Sequence, residues 1–122
     1  MTIEYKKFIN YSDEILVRKF EGKIHVEDII GSWKYLLENN MITKNHKGVI
    51  TDVCKCELDL KQESFRKLMD YLKKNPLLKE LKLAVVCDSP NNIVFPYMAE
   101  KEQDLNVKPF STFESAINWI LI

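Results

Sequence analysis

The sequence has no excess of charge of either sign and no long apolar run. Its 18 Lys and Arg residues balance 18 Asp and Glu residues. A general attraction to nucleic acid or to anionic lipid therefore has no electrostatic basis, and we expect no nucleic-acid partner. Apolar stretches are short, as in Ala84–Cys87 and Trp119–Ile122, whereas a membrane span needs roughly 18 such residues. We expect a protein that does not span a membrane.

Cysteine, glycine and proline are also scarce. The chain has three Cys, three Gly and four Pro among 122 residues, with 46% apolar and 30% charged side chains. These values exclude a disulfide miniprotein, a collagen-like rod and a disordered tail. Met1–Lys7 alternates in polarity as a strand does, which is unlike a secretory signal. We therefore expect free thiols, a reducing cytoplasmic location and a single domain over residues 1–122.

Hydrophobic periodicity predicts the elements of the first half. Ile3–Ile9 and Glu14–Glu21 are rich in β-forming residues and predict a β-hairpin, whose second strand ends at Gly22. The apolar stripe of Val26–Leu37 predicts a helix. Gly48–Cys54 is nearly unbroken in apolarity, which is typical of a central parallel strand covered on both faces.

The second half continues the alternation of helix and strand. Asp59 and Gln62 form a capping pair for a helix that stops before Pro76. Ser111 and Glu114 form a capping box that opens the last helix. Between these two helices we expect the strand Leu81–Cys87, a helix from about Ile93 to Gln103 with Pro96 in its first turn, and the strand Asn106–Phe110.

These elements predict an α/β fold in which a β-hairpin is followed by αβαβαβα. Such alternation favours a mainly parallel, mixed five-stranded sheet with right-handed crossovers, covered by four helices. The carboxyl ends of the parallel strands would then meet at one edge, where open α/β sheets usually bind ligands.

Three segments carry a family resemblance. Val107–Ile120 resembles the strand, capped turn and Glu-x-Ala-x-x-Trp helix that close the small SpoIIAA-like proteins of bacteria, which are relatives of the STAS domain. Val49–Val53, as the central strand with Asp52, and Phe95–Ala99, in the third helix, are similar to the same family. The resemblance covers nearly the whole chain and implies a SpoIIAA/STAS-like fold.

The resemblance also implies a function. The better understood STAS domains are non-enzymatic modules that bind protein partners and are switched by phosphorylation of a Ser or Thr where the helix after the central strand begins. Val53–Lys61 has no hydroxyl at that turn, and Ser64 comes a turn later. The resemblance therefore implies a binding or regulatory module without this switch. Some groups with related folds carry apolar or lipid ligands between helix and sheet, which the resemblance allows here.

Three thiols are predicted at the carboxyl edge of the sheet. Cys54 ends the central strand and Cys56 follows it, Cys87 ends the next strand, and His25 follows the second. A zinc site needs a tetrahedral set of such ligands, which C-x-C alone does not supply, and a redox pair prefers C-x-x-C at a helix start. The alternative is that Cys54 and Cys87 are core residues and Cys56 is a loop thiol. We expect no metal and no cofactor.

Polar and aromatic residues extend this candidate surface. Asp52 lies inside a strand and is expected to accept hydrogen bonds from the following loop, because a buried carboxylate needs partners. Asp59, Asp88 and Ser89 have the positions of turn or cap residues. Phe95, with Tyr97 and Met98, either gates a cleft between the third helix and the sheet or belongs to the core.

The candidate ligand or partner surface consists of His25, Asp52, Cys54, Cys56, Asp59, Cys87, Asp88, Ser89, Phe95 and Tyr97. No set among them specifies a reaction, so we expect no enzyme. The leading hypothesis is a regulatory or binding module that takes a protein partner, a small apolar ligand or a second copy of the chain. The alternatives are a small apolar-ligand or lipid-binding protein and, less favoured, a thiol or metal redox protein that uses the three Cys.

Overall fold

The computed structural model describes residues 1–59 and 61–122. One sheet contains the strands β1 (Thr2–Asn10), β2 (Asp13–Ile24), β3 (His46–Leu58), β4 (Lys82–Val86) and β5 (Asn106–Phe110). The helices of the described ranges are α1 (Val26–Glu38), α2 (Gln62–Lys73), α3 (Pro76–Glu80), α4 (Val94–Ala99) and α5 (Phe113–Leu121).

The strands lie in the sheet in the same order as in the chain, β1-β2-β3-β4-β5. β1 is antiparallel to β2, and the other neighbours are parallel. Because right-handed crossovers between consecutive neighbours fall on one side, α1 to α4 cover one face of the sheet, here called the four-helix face. α5 covers the opposite face, called the α5 face. The predicted α/β fold with a mixed five-stranded sheet is confirmed, with the short helix α3 in addition to the four that we expected.

The sheet separates two hydrophobic cores. The larger core lies on the four-helix face, where Phe20, Leu36 and Leu78 are fully buried. The smaller core on the α5 face joins Ile50 to α5 through Ile120 and its neighbours. β3 contributes to both cores, as its nearly continuous apolar sequence predicted.

Two strands are longer than predicted. β3 runs to Leu58 instead of Cys54, and β2 continues past Gly22 to Ile24. Gly22 does not end its strand because it adopts a φ of 88°, which glycine tolerates, while the parallel ladder carries on to the pair Ile24–Leu58. The prediction of Cys56 as a loop thiol was wrong for the same reason, since it lies within β3 and pairs with Gly22.

Beyond Asp52, β3 carries a bulge. Lys19 pairs with Asp52 but Glu21 pairs with Lys55, so β3 has one residue more than β2 in this interval. An extra residue interrupts the alternation of side chains along a strand. Cys54 therefore packs toward the α5 face and Cys56 toward the four-helix face, although they are two positions apart.

Three helix ends differ from prediction. The residue before α2 is Lys61, not a cap formed by Asp59, and no side chain caps that helix. α4 ends at Ala99 instead of near Gln103. α5 is capped one residue later than expected, because the Oγ1 of Thr112 accepts a hydrogen bond from the backbone N–H of Ser115 at 3.1 Å. None of the helices in the described ranges is long and apolar enough to cross a membrane.

Candidate functional site

A cavity lies between the four-helix face of the sheet and helix α4. Its volume is about 70 Å³, and side chains of α1, α2, α4 and strands β2 to β5 form its wall. Arg18 and Thr51 supply the polar part of the described wall, which is otherwise apolar. An engineered apolar cavity of about 150 Å³ in another protein binds benzene, so the present volume suits a molecule of a few heavy atoms. We call this space the α4 cavity.

Arg18 places a positive charge in the wall of the α4 cavity. It belongs to β2, and only 3% of its surface is exposed. Its Nε donates a hydrogen bond to Thr51 Oγ1 at 2.7 Å, and its Nη1 donates to Ser32 Oγ at 3.1 Å. The Ser32 hydroxyl is in turn 2.9 Å from the hydroxyl of Tyr5. Burial lowers the pKa of Arg18 to about 9, which leaves the guanidinium charged at neutral pH.

Aromatic rings surround this guanidinium. Its Cζ lies 3.7 Å from the centroid of Trp33 and 5.0 Å from that of Phe20, and both rings attract a cation through their faces. Within residues 1–59 and 61–122, Arg18 forms no salt bridge to a carboxylate. The buried charge therefore has hydroxyl and aromatic neighbours but no counter-ion in the described chain.

The sequence analysis did not single out Arg18. The sequence did contain a sign of its burial. Side chains two positions apart in a strand share a face, so Arg18 lies on the same face of β2 as the core residues Leu16 and Phe20. An Arg on the core-facing side of a strand is seldom buried without a partner, and this pattern could have marked it.

A second polar residue missed from the sequence is Asn92, in the loop between β4 and α4. It is 3% exposed, and its Nδ2 donates hydrogen bonds to the carbonyls of Val53 at 2.8 Å and Cys56 at 2.7 Å. Its Oδ1 accepts from the backbone N–H of Leu58 at 3.3 Å. Because β3 extends beyond the end of β4, its backbone would lack a neighbour there, and the carboxamide of Asn92 takes that place. In sequence, Asn92 looks like an ordinary turn residue.

The predicted residues of the carboxyl edge form two separate contacts. His25 Nδ1 and Asp59 Oδ2 are 3.1 Å apart, since the parallel strands β2 and β3 end side by side. Asp52, which is buried, accepts a hydrogen bond on Oδ1 from the backbone N–H of Cys54 at 2.9 Å. The carboxylate thus satisfies a backbone donor as expected, although this donor belongs to the bulge of β3 and not to a loop.

The three thiols share an edge of the sheet but not a site. Cys54 Sγ lies 3.7 Å from the carbonyl oxygen of Val86, on the α5 face, whereas Cys56 and Cys87 pack on the four-helix face. Across the described ranges, no group of three or more His, Cys, Asp or Glu side chains is placed to hold a metal ion.

Burial suppresses ionisation of all three thiols. It raises the pKa of Cys54 to about 12, assisted by the hydrogen bond and charge of Asp52, and it raises the pKa of Cys56 to about 12. Burial and the charge of Asp88 also raise the pKa of Cys87. Because the thiolate is the nucleophile and the metal ligand, these groups are poorly suited to thiol chemistry at neutral pH.

The remaining candidates divide between cavity and surface. Phe95 lines the α4 cavity and meets Phe65 edge-on, with ring centroids 5.3 Å apart. Tyr97 is 52% exposed and lies under the ammonium of Lys101, on the outside of α4. Asp88 is exposed, while the Ser89 hydroxyl accepts a hydrogen bond from the backbone N–H of Asn92 at 3.2 Å.

Solved structures of other proteins share this architecture. No family model matches the sequence, and no curated protein matches it. An uncharacterized protein of the DUF3478 family with a SpoIIAA-like fold, from Shewanella loihica PV-4, superposes with a TM-score of 0.67 at 19% identity, over 97% of this chain and 93% of that chain. An anti-sigma factor antagonist from Mycobacterium paratuberculosis superposes with a TM-score of 0.58 at 12% identity, over 99% of this chain and 96% of that chain. The chain therefore has the SpoIIAA-like α/β fold that its sequence resembles.

Proposed function

We propose that the protein is a non-enzymatic binding module that takes a small apolar ligand into the α4 cavity. The observation that carries this proposal is the cavity itself, an apolar space of about 70 Å³ under a helix of six residues. Ligand pockets are typically concave and apolar with a few polar groups that fix orientation, and Arg18 and Thr51 supply such groups here.

The chemistry of the carboxyl edge supports binding over catalysis. Thiols with raised pKa are weak nucleophiles, and the carboxylate of Asp52 is engaged by its own strand. The described edge does not bring a nucleophile, a base and an oxyanion donor together in one place, which is what catalysis of a group transfer requires.

We also infer that ligand binding is not switched by a phosphate at the start of α2. Lys61 precedes that helix, Gln62 and Glu63 begin it, and Ser64 is half-buried in the first turn. A phosphoryl group gains most from hydrogen-bond donors at a helix N-terminus and from nearby cations, and it is repelled by an acidic neighbour such as Glu63.

Titration with a neutral probe tests the cavity. We expect 1-butanol to cause saturable shifts of the backbone amide signals of Phe95 and Ala99 in the NMR spectrum of the labelled protein. Ala99→Leu fills the cavity and should abolish these shifts. Ala116→Leu overpacks the other core to a similar degree and should preserve them. A flat titration of the wild type, or unchanged shifts in Ala99→Leu, would contradict the proposal.

A protein partner is the second candidate, favoured by the outer surface of α4. Ile93, Val94, Tyr97 and Met98 are between 37% and 52% exposed. Grouped exposed apolar side chains are typical of contact surfaces, and one fold neighbour is described as an anti-sigma factor antagonist. Light scattering with chromatography tests the simplest partner, a second copy. A dimer that Tyr97→Ser dissociates would support this candidate. A monomer at all concentrations would exclude a second copy of the chain as the partner.

A further inference from the structure

A buried cation without a counter-ion is the feature of this fold that ordinary packing explains least. Arg18 is 3% exposed, and the acceptors it uses in the described chain, Thr51 and Ser32, are neutral hydroxyls. A charge removed from water is costly unless it is both paired and hydrogen-bonded. Titratable groups whose pKa is strongly perturbed by burial cluster at functional sites.

The surroundings of Arg18 account for its position but not for its charge. The Trp33 ring, 3.7 Å from Cζ, and the two hydroxyls orient the guanidinium. Burial is the dominant influence on the pKa of Arg18, which it lowers, and Tyr5 acts in the opposite direction. An anion brought beside Arg18 would meet an oriented donor that has no competing carboxylate in the described residues.

The α4 cavity adjoins this cation and sets the shape of the anion. Apart from Arg18 and Thr51, its described wall is apolar, including Met69 and Phe95 on opposite helices. A complementary ligand therefore has one anionic end and a short apolar body. We propose that the α4 cavity binds a short-chain apolar monocarboxylate, whose carboxylate lies against the Arg18 guanidinium and whose hydrocarbon part lies beneath Phe95. This inference rests on the proposed function and specifies its ligand class.

A carboxylate fits better than a phosphate for reasons of charge and donor count. A guanidinium matches a carboxylate in geometry and neutralises its single charge. A phosphate dianion needs several donors or cations, whereas Arg18 is the one cation in the described wall. The cavity of about 70 Å³ also favours a chain of only a few carbons.

The test compares an acid with its neutral analogues in the wild-type protein. Dissociation constants for butyrate, butyramide and 1-butanol are measured by NMR titration at pH 7 and constant ionic strength. We expect butyrate to bind at least about tenfold more tightly than either neutral molecule, because charge-assisted hydrogen bonds are the strong ones. Equal binding of all three would overturn the carboxylate inference but leave the proposed function intact. Absence of binding by all three would overturn both.

Two variants that each remove one positive charge test whether Arg18 causes the preference for butyrate. Arg18→Met should remove the preference for butyrate over 1-butanol and butyramide. Lys19→Met removes an equal charge from the next residue, which faces the other side of the sheet, and should keep the preference. A butyrate preference that survives Arg18→Met, or that Lys19→Met abolishes, would contradict the assignment. If Arg18→Met does not fold, the comparison of butyrate with its neutral analogues in the wild-type protein still tests the proposal.

Discussion

The guanidinium of Arg18 stacks on the ring of Trp33, with Cζ 3.7 Å from the ring centroid. The contact joins β2 to α1 in the middle of the larger core, next to the α4 cavity. It gives the buried charge a fixed direction while leaving it unneutralised by any carboxylate in the described part of the chain.

Replacing this charge should stabilise the empty protein. Arg18→Met has a similar length without the charge. Replacing a buried ion pair by apolar side chains of similar volume is often neutral or stabilising by about 1 to 4 kcal/mol, and we expect an unpaired buried cation to behave in the same way. Thr51→Val keeps the charge and removes its acceptor, so it should lower that free energy by about 1 to 3 kcal/mol. Urea denaturation measures both. A large loss of stability in Arg18→Met would show that the guanidinium is a structural group rather than a ligand anchor.

Asn92 should be far more important for stability than its neighbour Asn91. Asn92→Ala removes hydrogen bonds to the backbone at Val53, Cys56 and Leu58, and we expect a loss of about 2 to 4 kcal/mol in the free energy of unfolding. Asn92→Asp should be at least as harmful, since a carboxylate oxygen would face two carbonyl oxygens. Asn91→Ala, at an exposed position, should change it by less than about 1 kcal/mol. Equal effects at the two positions would refute the bridging role.

Two glycines should respond to alanine with opposite signs. A Cβ on Gly48 would lie 2.5 Å from the carbonyl oxygen of Lys82 and 3.0 Å from Ile120, so Gly48→Ala must separate β3 from β4 or displace α5. We expect it to destabilise the protein by about 2 to 3 kcal/mol or more. Gly31→Ala, within α1 and with open space around it, should stabilise by about 0.5 to 1 kcal/mol. Thermal unfolding measures the change in stability of each variant. If both changes have the same sign, the packing described around one of these glycines is wrong.

The thiols should react slowly in the native protein. With the pKa of Cys54 and Cys56 raised to about 12, the thiolate fraction at pH 8 is at least about 100-fold below that of an unfolded chain. Disulfide-exchange reagents should therefore label the native protein much more slowly than the protein in guanidinium chloride. The rate should keep rising above pH 9, and a plateau there would contradict the raised pKa.

The same shifts predict an alkaline loss of stability. Between the unfolded pKa near 9 and the folded pKa of about 12, the native state binds more protons than the unfolded state. The stabilisation that these two thiols contribute to the folded state is fully present below pH 9, and it is lost as the pH rises through this window. Cys54→Ala should weaken the decline, which chemical denaturation at several pH values can measure.

The sequence predicted most of the framework because its signals are local. The hairpin, the central position of β3 and the α5 region follow from hydrophobic patterns that repeat every two residues in a strand and every three to four residues in a helix. The covalent geometry of the backbone sets both periods. The end of β2 was mispredicted at Gly22 because a glycine looks like a terminator until its pairing with Cys56 is known. The faces of Cys54 and Cys56 depend on the bulge, which arises from the register between two strands and has no signature within either one.

The sequence left two alternatives for Phe95, a cleft under the helix that contains Pro96 or the core. In the structure Phe95 is a buried core residue that also lines the α4 cavity. Arg18 and Asn92 were overlooked because their roles depend on residues more than ten positions away, Thr51 for the first and β3 for the second. A polar residue that acts through distant backbone or side-chain partners looks like a surface residue in sequence.

Intermolecular NOE measurements with ¹³C-labelled butyrate test the central claim most directly, because they locate the ligand atom by atom. We predict contacts from the butyrate methyl protons to the Met69 methyl group and the Phe95 ring, inside the α4 cavity. Contacts confined to exposed Tyr97 and Met98, or no contacts at saturating butyrate, would contradict the claim that this cavity is a ligand site.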